Sequence, residues 1–132
     1  MRFFLFLLLF FLGQLAQAQQ LQWATKVLEF SSEFTGSNGH QYRAVQLLGK
    51  PNKLPQAESG ASAWRSAQPD AGEEWIKVGF ETPMEIRQVV IAENFGAGCV
   101  TTVVAYDSQN KEYTLYKSKP EATKRGAGMH RI

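Results

Sequence analysis

The sequence is poor in the residues that enzymes and metal sites most often need. It has one cysteine and two histidines among 132 residues, so no internal disulfide can form and no Cys/His spacing resembles a zinc site. His40 and His130 lie far apart, and neither occurs in a pattern that would orient it toward a nucleophile. We therefore expect a chain that is not an enzyme, with no catalytic residue, metal site or cofactor.

An excess of charge of one sign is also lacking. The chain has 14 basic and 12 acidic residues, so no strongly basic face is available to displace counterions, and we expect no nucleic-acid partner. The close carboxylate pairs are Glu29 with Glu33 and Glu73 with Glu74. We interpret them as solvated surface groups, because adjacent residues of a strand point to opposite faces and a glycosidase needs two facing carboxylates.

The long apolar run at the start of the chain is too short to cross a membrane. It extends from Phe3 to Leu12, whereas a transmembrane helix needs roughly 20 apolar residues. Small residues at Ala16 and Ala18 follow it, so residues 1–18 are predicted to be a signal peptide cleaved after Ala18. An uncleaved anchor is disfavoured because no polar stop-transfer cluster follows. We expect export to the periplasm, the outer membrane or the exterior, with no transmembrane segment in the mature chain.

Residues 19–132 have the length of a single domain. Turn residues recur about every 8 to 14 positions and no apolar stripe of helical period exceeds two turns, a pattern typical of a β-sandwich. Residues 23–117 are the best defined, and 118–132 are predicted to be an irregular tail without a closing strand. The predicted strands are Thr25–Phe34, Trp75–Phe80, Ile86–Ala92, Val100–Tyr106 and Glu112–Tyr116, the last two forming a hairpin across residues 107–110.

Three further local predictions concern the core and the loops. Alternation over Trp75–Phe80 places Ile76, Val78 and Phe80 on one buried face. Residues 41–48 are expected to form one helical turn, and the proline-rich stretch 49–72 is expected to be irregular. Cys99, at a strand entrance, is expected to be a small buried residue rather than a reactive thiol.

Several segments carry a family resemblance that covers nearly the whole mature chain. They are WATKVLEFSS (23–32), LLGKPN (47–52), AW (63–64), EWIKVGF (74–80), IRQVVIAEN (86–94), AYD (105–107) and EY (112–113). Together they resemble the amino-terminal module of OmpA-like cell-envelope proteins from Bacteroidetes-type bacteria. More distantly, the order of elements is similar to the discoidin domain, a jelly roll of the galactose-binding-like class.

The resemblance implies an all-β jelly-roll β-sandwich that recognises a ligand with the loops at one end. Its companion domains would hold peptidoglycan, so association with peptidoglycan is expected only through a domain that this chain lacks. The chain ends about where the last strands of a jelly roll should begin, and we expect a truncated gene product or a fragment. Calcium-holding discoidin relatives often have an acidic residue where this chain has Leu48, so no calcium site is expected.

Loop aromatics with polar neighbours are the candidate ligand-binding residues, because sugar rings stack on aromatic faces while amide and guanidinium groups bind hydroxyls. Trp64 and Arg65 fit this description best. A competing interpretation places Trp64 as a plug beneath the proline-rich loop. Two functions remain open: a module that binds carbohydrate or another envelope ligand, and a structural or protein-interaction module. Neighbours of Trp64 and Arg65, if the loops converge, are Tyr42, Asn52, Asn94 and Phe95.

Overall fold

A computed structural model describes residues 20–36, 38–69, 71–119 and 126–132, so the predicted signal peptide lies outside the described residues. Within these ranges the chain is built from strands with almost no helix, which confirms the predicted all-β class. No helix in them has the length and apolar character to cross a membrane. The elements are β1 (Lys26–Phe30), a 3₁₀ helix (Ala44–Leu47), β2 (Ile76–Gly79), β3 (Val90–Glu93), β4 (Thr102–Tyr106), β5 (Glu112–Lys117) and β6 (Gly128–Arg131).

The strands of the described residues form three antiparallel ribbons, β1 with β2, β3 with β6, and β4 with β5. Side chains connect the ribbons. The Lys77 ammonium of β2 lies 4.1 Å from the ring centroid of Tyr106 in β4. Tyr116 of β5 meets His130 of β6 edge to face, with the ring centroids 4.9 Å apart. This arrangement is compatible with a β-sandwich, whereas the jelly-roll order stays a prediction.

The carboxy-terminal segment forms a strand that the sequence pattern does not predict. Val90 of β3 lies opposite Arg131 of β6, and Glu93 lies opposite Gly128. The backbones of Val89 and Ile132 extend this pairing by exchanging two hydrogen bonds of 3.0 and 2.9 Å. The expectation of a tail without a closing strand is therefore wrong. The sequence pattern misses this strand because its hydrogen bonds come from backbone groups, which pair without any alternation of apolar side chains.

A β-bulge in β1 decides which side chains share a face. Val27 lies opposite Val78 and Phe30 lies opposite Ile76, with the register shifting between positions 27 and 29. Residues 76 and 78 share a face because they are two positions apart, so Val27 and Phe30 share that face although they are three apart. The extra residue, Leu28, packs toward the α-carbon of Gly79 on the other side.

The predicted β4–β5 hairpin is confirmed, and its connection is held by one carboxylate. Asp107 Oδ1 accepts hydrogen bonds from the backbone N–H groups of Gln109 (2.8 Å) and Lys111 (3.0 Å). Asn110 has a left-handed backbone with φ of 61°. Asparagine tolerates this conformation better than most residues, and it commonly closes short hairpin loops.

The residues predicted to form the core are at most partly buried. Ile76 and Val78 are half-buried, but the Phe80 side chain is 51% exposed, so its placement in the core is wrong. Ala44, at 2% exposure, is the only buried residue in the part of the chain that the structure describes. The reason is that a two-stranded ribbon buries a face only where another layer covers it. Large exposed apolar side chains therefore include Leu28, Phe30, Trp75, Phe80 and Ile86.

Two other sequence-based placements differ from the structure. The predicted strand Ile86–Ala92 begins only at Val90, which leaves Ile86 in an exposed connection. Cys99 is exposed, not buried, and its thiol donates to the carbonyl oxygen of Gly96 at 2.9 Å. Short irregular turns rich in glycine precede Cys99, so no strand carries it inward. By contrast, the predicted helical turn and the irregular proline-rich stretch are confirmed for the described residues.

Candidate functional site

Backbone hydrogen bonds bring two distant loops together beside β1. The Phe34 N–H donates to the Arg65 carbonyl at 2.9 Å, and the Arg65 N–H donates to the Tyr42 carbonyl at 3.1 Å. The Tyr42 N–H in turn donates to Ala61 at 2.8 Å. Tyr42 has a positive φ of 59°, which is uncommon for a large residue. The surrounding bonds therefore hold Tyr42 and Arg65 side by side.

Arg65 lies against two aromatic rings, and we call Phe34, Tyr42 and Arg65 the Arg65 cluster. The guanidinium carbon is 3.7 Å from the ring centroid of Phe34 and 4.8 Å from that of Tyr42. The two rings meet edge to face, with centroids 5.6 Å apart and planes at 89°. Both rings are half-buried, while Arg65 is exposed. Cation–π attraction to both rings restrains the orientation of the guanidinium group.

A partly buried ion pair supports the loop next to the Arg65 cluster. Glu33 Oε1 accepts from Arg43 Nη1 at 2.7 Å, and Glu33 Oε2 accepts from the backbone N–H of Ala44 at 2.9 Å. The Ala44 hydrogen bond and the Arg43 guanidinium lower the pKa of Glu33. The two side chains are 16% and 32% exposed. Glu33 is therefore a loop anchor, and the interpretation of it as a solvated surface group is wrong.

A second carboxylate organises the other side of the loops. The Ser31 and Ser32 hydroxyls both donate to Glu74 Oε2, the latter at 2.8 Å. These hydrogen bonds, that of Ser31 first, lower the pKa of Glu74. The Trp64 indole N–H donates to the Ser32 carbonyl at 3.0 Å, and the Trp64 ring is half-buried. Trp64 thus ties the proline-rich loop to the end of β1.

An open apolar cleft of about 410 Å³ lies beside these loops. Its polar lining residues are Glu33, His40 and Arg43. The His40 carbonyl accepts from Gln46 Nε2 at 2.8 Å, so the His40 loop is fixed to the 3₁₀ helix. The apolar lining comes from the β1 face set by the bulge, from the 3₁₀ helix and from the residue after it, namely Val27, Phe30, Ala44, Val45 and Leu48.

The structure brings together some of the predicted site residues. Tyr42 and Arg65 are in contact, and Trp64 precedes Arg65 in the same loop. Asn94 donates to the Glu58 carbonyl at 2.6 Å, which fixes it to the loop that leads to Ala61. Phe95 is 59% exposed, and Asn52 is also exposed. Neither has a hydrogen bond or ring contact to the Arg65 cluster among the described contacts.

Sequence reasoning missed Phe34, which supplies the nearest ring to Arg65, and it missed the anchors Glu33, Arg43 and Glu74. The predicted strand Thr25–Phe34 is too long, because β1 ends at Phe30 and leaves Phe34 in the loop that meets residue 65. The pair Ser31-Ser32 followed by Glu33 was the available signal, since such residues favour side-chain bonds to nearby backbone where a strand ends.

The carboxylates beside the Arg65 cluster are bound to the protein's own loops. Within the described ranges, no three His, Cys, Asp or Glu side chains are grouped as metal ligands would be. The two anchoring carboxylates are each engaged by hydrogen bonds from their own loops. Comparisons with protein-family models, curated proteins and solved structures gave no match.

Proposed function

We propose that the chain is a non-catalytic cell-envelope module that recognises carbohydrate through the Arg65 cluster. The observation that carries this proposal is the placement of an exposed guanidinium on the rings of Phe34 and Tyr42. Aromatic faces pack against the C–H faces of sugars, and guanidinium N–H groups donate to their oxygen atoms. Export through a signal peptide, the jelly-roll order and the relation to OmpA-like envelope proteins belong to the same proposal.

The loop bonds support this function by reducing the cost of binding. Three backbone hydrogen bonds join residues 34, 42, 61 and 65, and Trp64 and Glu33 fix the flanking segments. A ligand that meets an ordered site loses less free energy to the ordering of side chains and loops. We expect Trp64 to act mainly by positioning Arg65, because its indole N–H is already bound to the Ser32 carbonyl.

A glycan array followed by titration calorimetry on the full chain tests this proposal. We expect weak, saturable binding to at least one saccharide and loss of that binding in Tyr42→Ala. Tyr113→Ala is the matched control, because Tyr113 is an exposed ring in the hairpin that contacts Lys111. A folded chain that binds no saccharide would overturn the proposal, as would equal loss of binding in both variants.

A second candidate function, a structural or protein-interaction module of an envelope assembly, is favoured by the open ribbons. Each described strand pairs with one neighbour, and apolar side chains such as Phe80 remain exposed. Unpaired edges and apolar patches accept further strands from partners. Sedimentation over a range of concentrations tests this: association should weaken in Phe80→Lys but not in Leu21→Lys. A chain that stays monomeric throughout would count against it.

A further inference from the structure

The charge of Arg65 is not matched by a carboxylate in the part of the chain that the structure describes. The ion pairs there join Glu33 with Arg43 and Glu85 with Arg87. Glu74, on the neighbouring loop, is held by the two serine hydroxyls. The described hydrogen bonds of Arg65 come from its backbone, not from its guanidinium group. Arg65 therefore presents a positive charge and several N–H donors to solvent.

The rings of Phe34 and Tyr42 hold the Arg65 guanidinium in place and give it an apolar neighbour. Guanidinium groups are planar and pair with carboxylates through two parallel hydrogen bonds, which a simple ammonium cannot do. A ligand that uses both features needs an anionic group attached to an apolar ring face. A small inorganic anion has the charge alone, whereas a neutral sugar has the ring alone.

We propose that the ligand of the Arg65 cluster is an acidic carbohydrate, in which a sugar carboxylate pairs with Arg65 while the sugar ring packs against the parts of the Tyr42 or Phe34 ring that Arg65 leaves uncovered. This inference rests on the proposed function and narrows it to uronate-type glycans. Glu33 contributes indirectly, because it neutralises Arg43 and leaves Arg65 as the cation that faces the ligand.

Matched ligands test the inference on the unmodified full chain. Calorimetry is performed with a panel of uronate oligosaccharides, each paired with its methyl ester, which keeps the ring and removes the charge. Poly-glutamate serves as a polyanion without sugar rings. We expect the acid form to bind about tenfold or more tightly than its ester, as charge-assisted bidentate pairing would provide, and more tightly than poly-glutamate.

Variants identify the residue responsible. Arg65→Gln should remove the preference for the acid over the ester, and Arg65→Lys should restore it only in part, because lysine keeps the charge without the planar donor pair. Arg87→Gln removes the same charge from an exposed position outside the cluster and should leave the preference unchanged. Near-ultraviolet circular dichroism of each variant checks its folding.

The outcomes separate this inference from the proposed function. Equal binding of acid and ester, with sensitivity to Tyr42→Ala, would overturn the acidic ligand and leave carbohydrate binding in place. Equal binding of poly-glutamate and uronates, or an equal effect of Arg87→Gln, would overturn the inference in favour of unspecific charge attraction. Binding of no saccharide at all would overturn both.

Discussion

Glu33 Oε2 accepts the backbone N–H of Ala44 at 2.9 Å, and Ala44 is the only buried residue in the described ranges. This bond joins the end of β1 to the start of the 3₁₀ helix. It links two segments that contribute to the cleft. Glu33 directly precedes Phe34, whose ring belongs to the Arg65 cluster. The local order of the site therefore depends on the ionised form of one carboxyl group.

The first prediction concerns the pH dependence of stability. The folded-state pKa of Glu33 lies below its ordinary value of 4.5, so its contribution is fully present above about pH 4.5 and is lost as the pH falls through the folded pKa. In Glu33→Gln we expect lower stability at neutral pH, by about 1 kcal/mol, and a shallower decline in acid. Urea unfolding at several pH values measures both.

Glu85→Gln is the control for this experiment, because the Glu85 side chain is highly exposed. Its stability should fall with acid as steeply as that of the unmodified chain. Some slope should also remain in Glu33→Gln, since hydrogen bonds hold the pKa values of Glu74 and Asp107 low as well. An unchanged acid profile in Glu33→Gln would show that the ionised form of Glu33 does not contribute to stability.

The second prediction concerns Trp64. Trp64→Phe keeps an aromatic ring but removes the hydrogen bond to the Ser32 carbonyl, which should lower stability by about 1 kcal/mol. Trp64→Ala also removes the half-buried ring and should cost more, about 2 kcal/mol or above. Both changes should weaken saccharide binding through the position of Arg65. Urea unfolding and calorimetry measure the two effects, with Trp75→Phe as the control.

If Trp64 were a direct ligand contact and not a loop anchor, Trp64→Ala would abolish binding without any loss of stability. That result would contradict the structural role proposed for the indole N–H.

The third prediction concerns Asn110, whose φ is 61°. Asn110→Gly should fold with nearly unchanged stability because glycine adopts this conformation freely. Asn110→Val should lower stability by about 1 to 3 kcal/mol, since a β-branched residue is strained there. Thermal unfolding of the two variants gives the comparison. Equal midpoints would show that the β4–β5 connection relaxes without this backbone conformation.

The fourth prediction tests whether Phe80 is exposed, as in the structure, or buried, as side-chain alternation predicts. Phe80→Ser should change the free energy of unfolding by less than about 1 kcal/mol, because the ring is half in solvent. A fully buried phenylalanine would instead cost several kcal/mol. Val78→Ala, at a half-buried position on the same strand, is the reference variant. A large loss of stability in Phe80→Ser alone would show that Phe80 is buried in a core.

Sequence patterns predicted the strands wherever side-chain alternation and turn chemistry agree. Trp75–Phe80 contains β2, and the two segments around residues 107–110 form the hairpin, because Asp107 and Asn110 favour the required turn. The β6 strand was missed because its pairing with β3 depends on backbone groups and not on an apolar pattern.

The site was predicted in part for a similar reason. Residue type and predicted loop position suggested Trp64 and Arg65, with Tyr42 as a possible neighbour. Their meeting with Phe34 depends on backbone bonds between residues 31 positions apart, which no local pattern encodes. The exposure of Phe80 was also unpredictable, since alternation shows which residues share a face but not whether another layer covers it.

The extra residue in β1 has a consequence for changes in chain length. A chain shorter by one residue at Leu28 would regain strict alternation with Phe30 still opposite Ile76, whereas regular pairing of the full-length strand would turn the Phe30 ring toward the side that now carries Lys77. The cleft would then lose an aromatic wall without any change in amino-acid type. The pairing register of this strand, and not its residue types alone, decides which side of the ribbon is apolar.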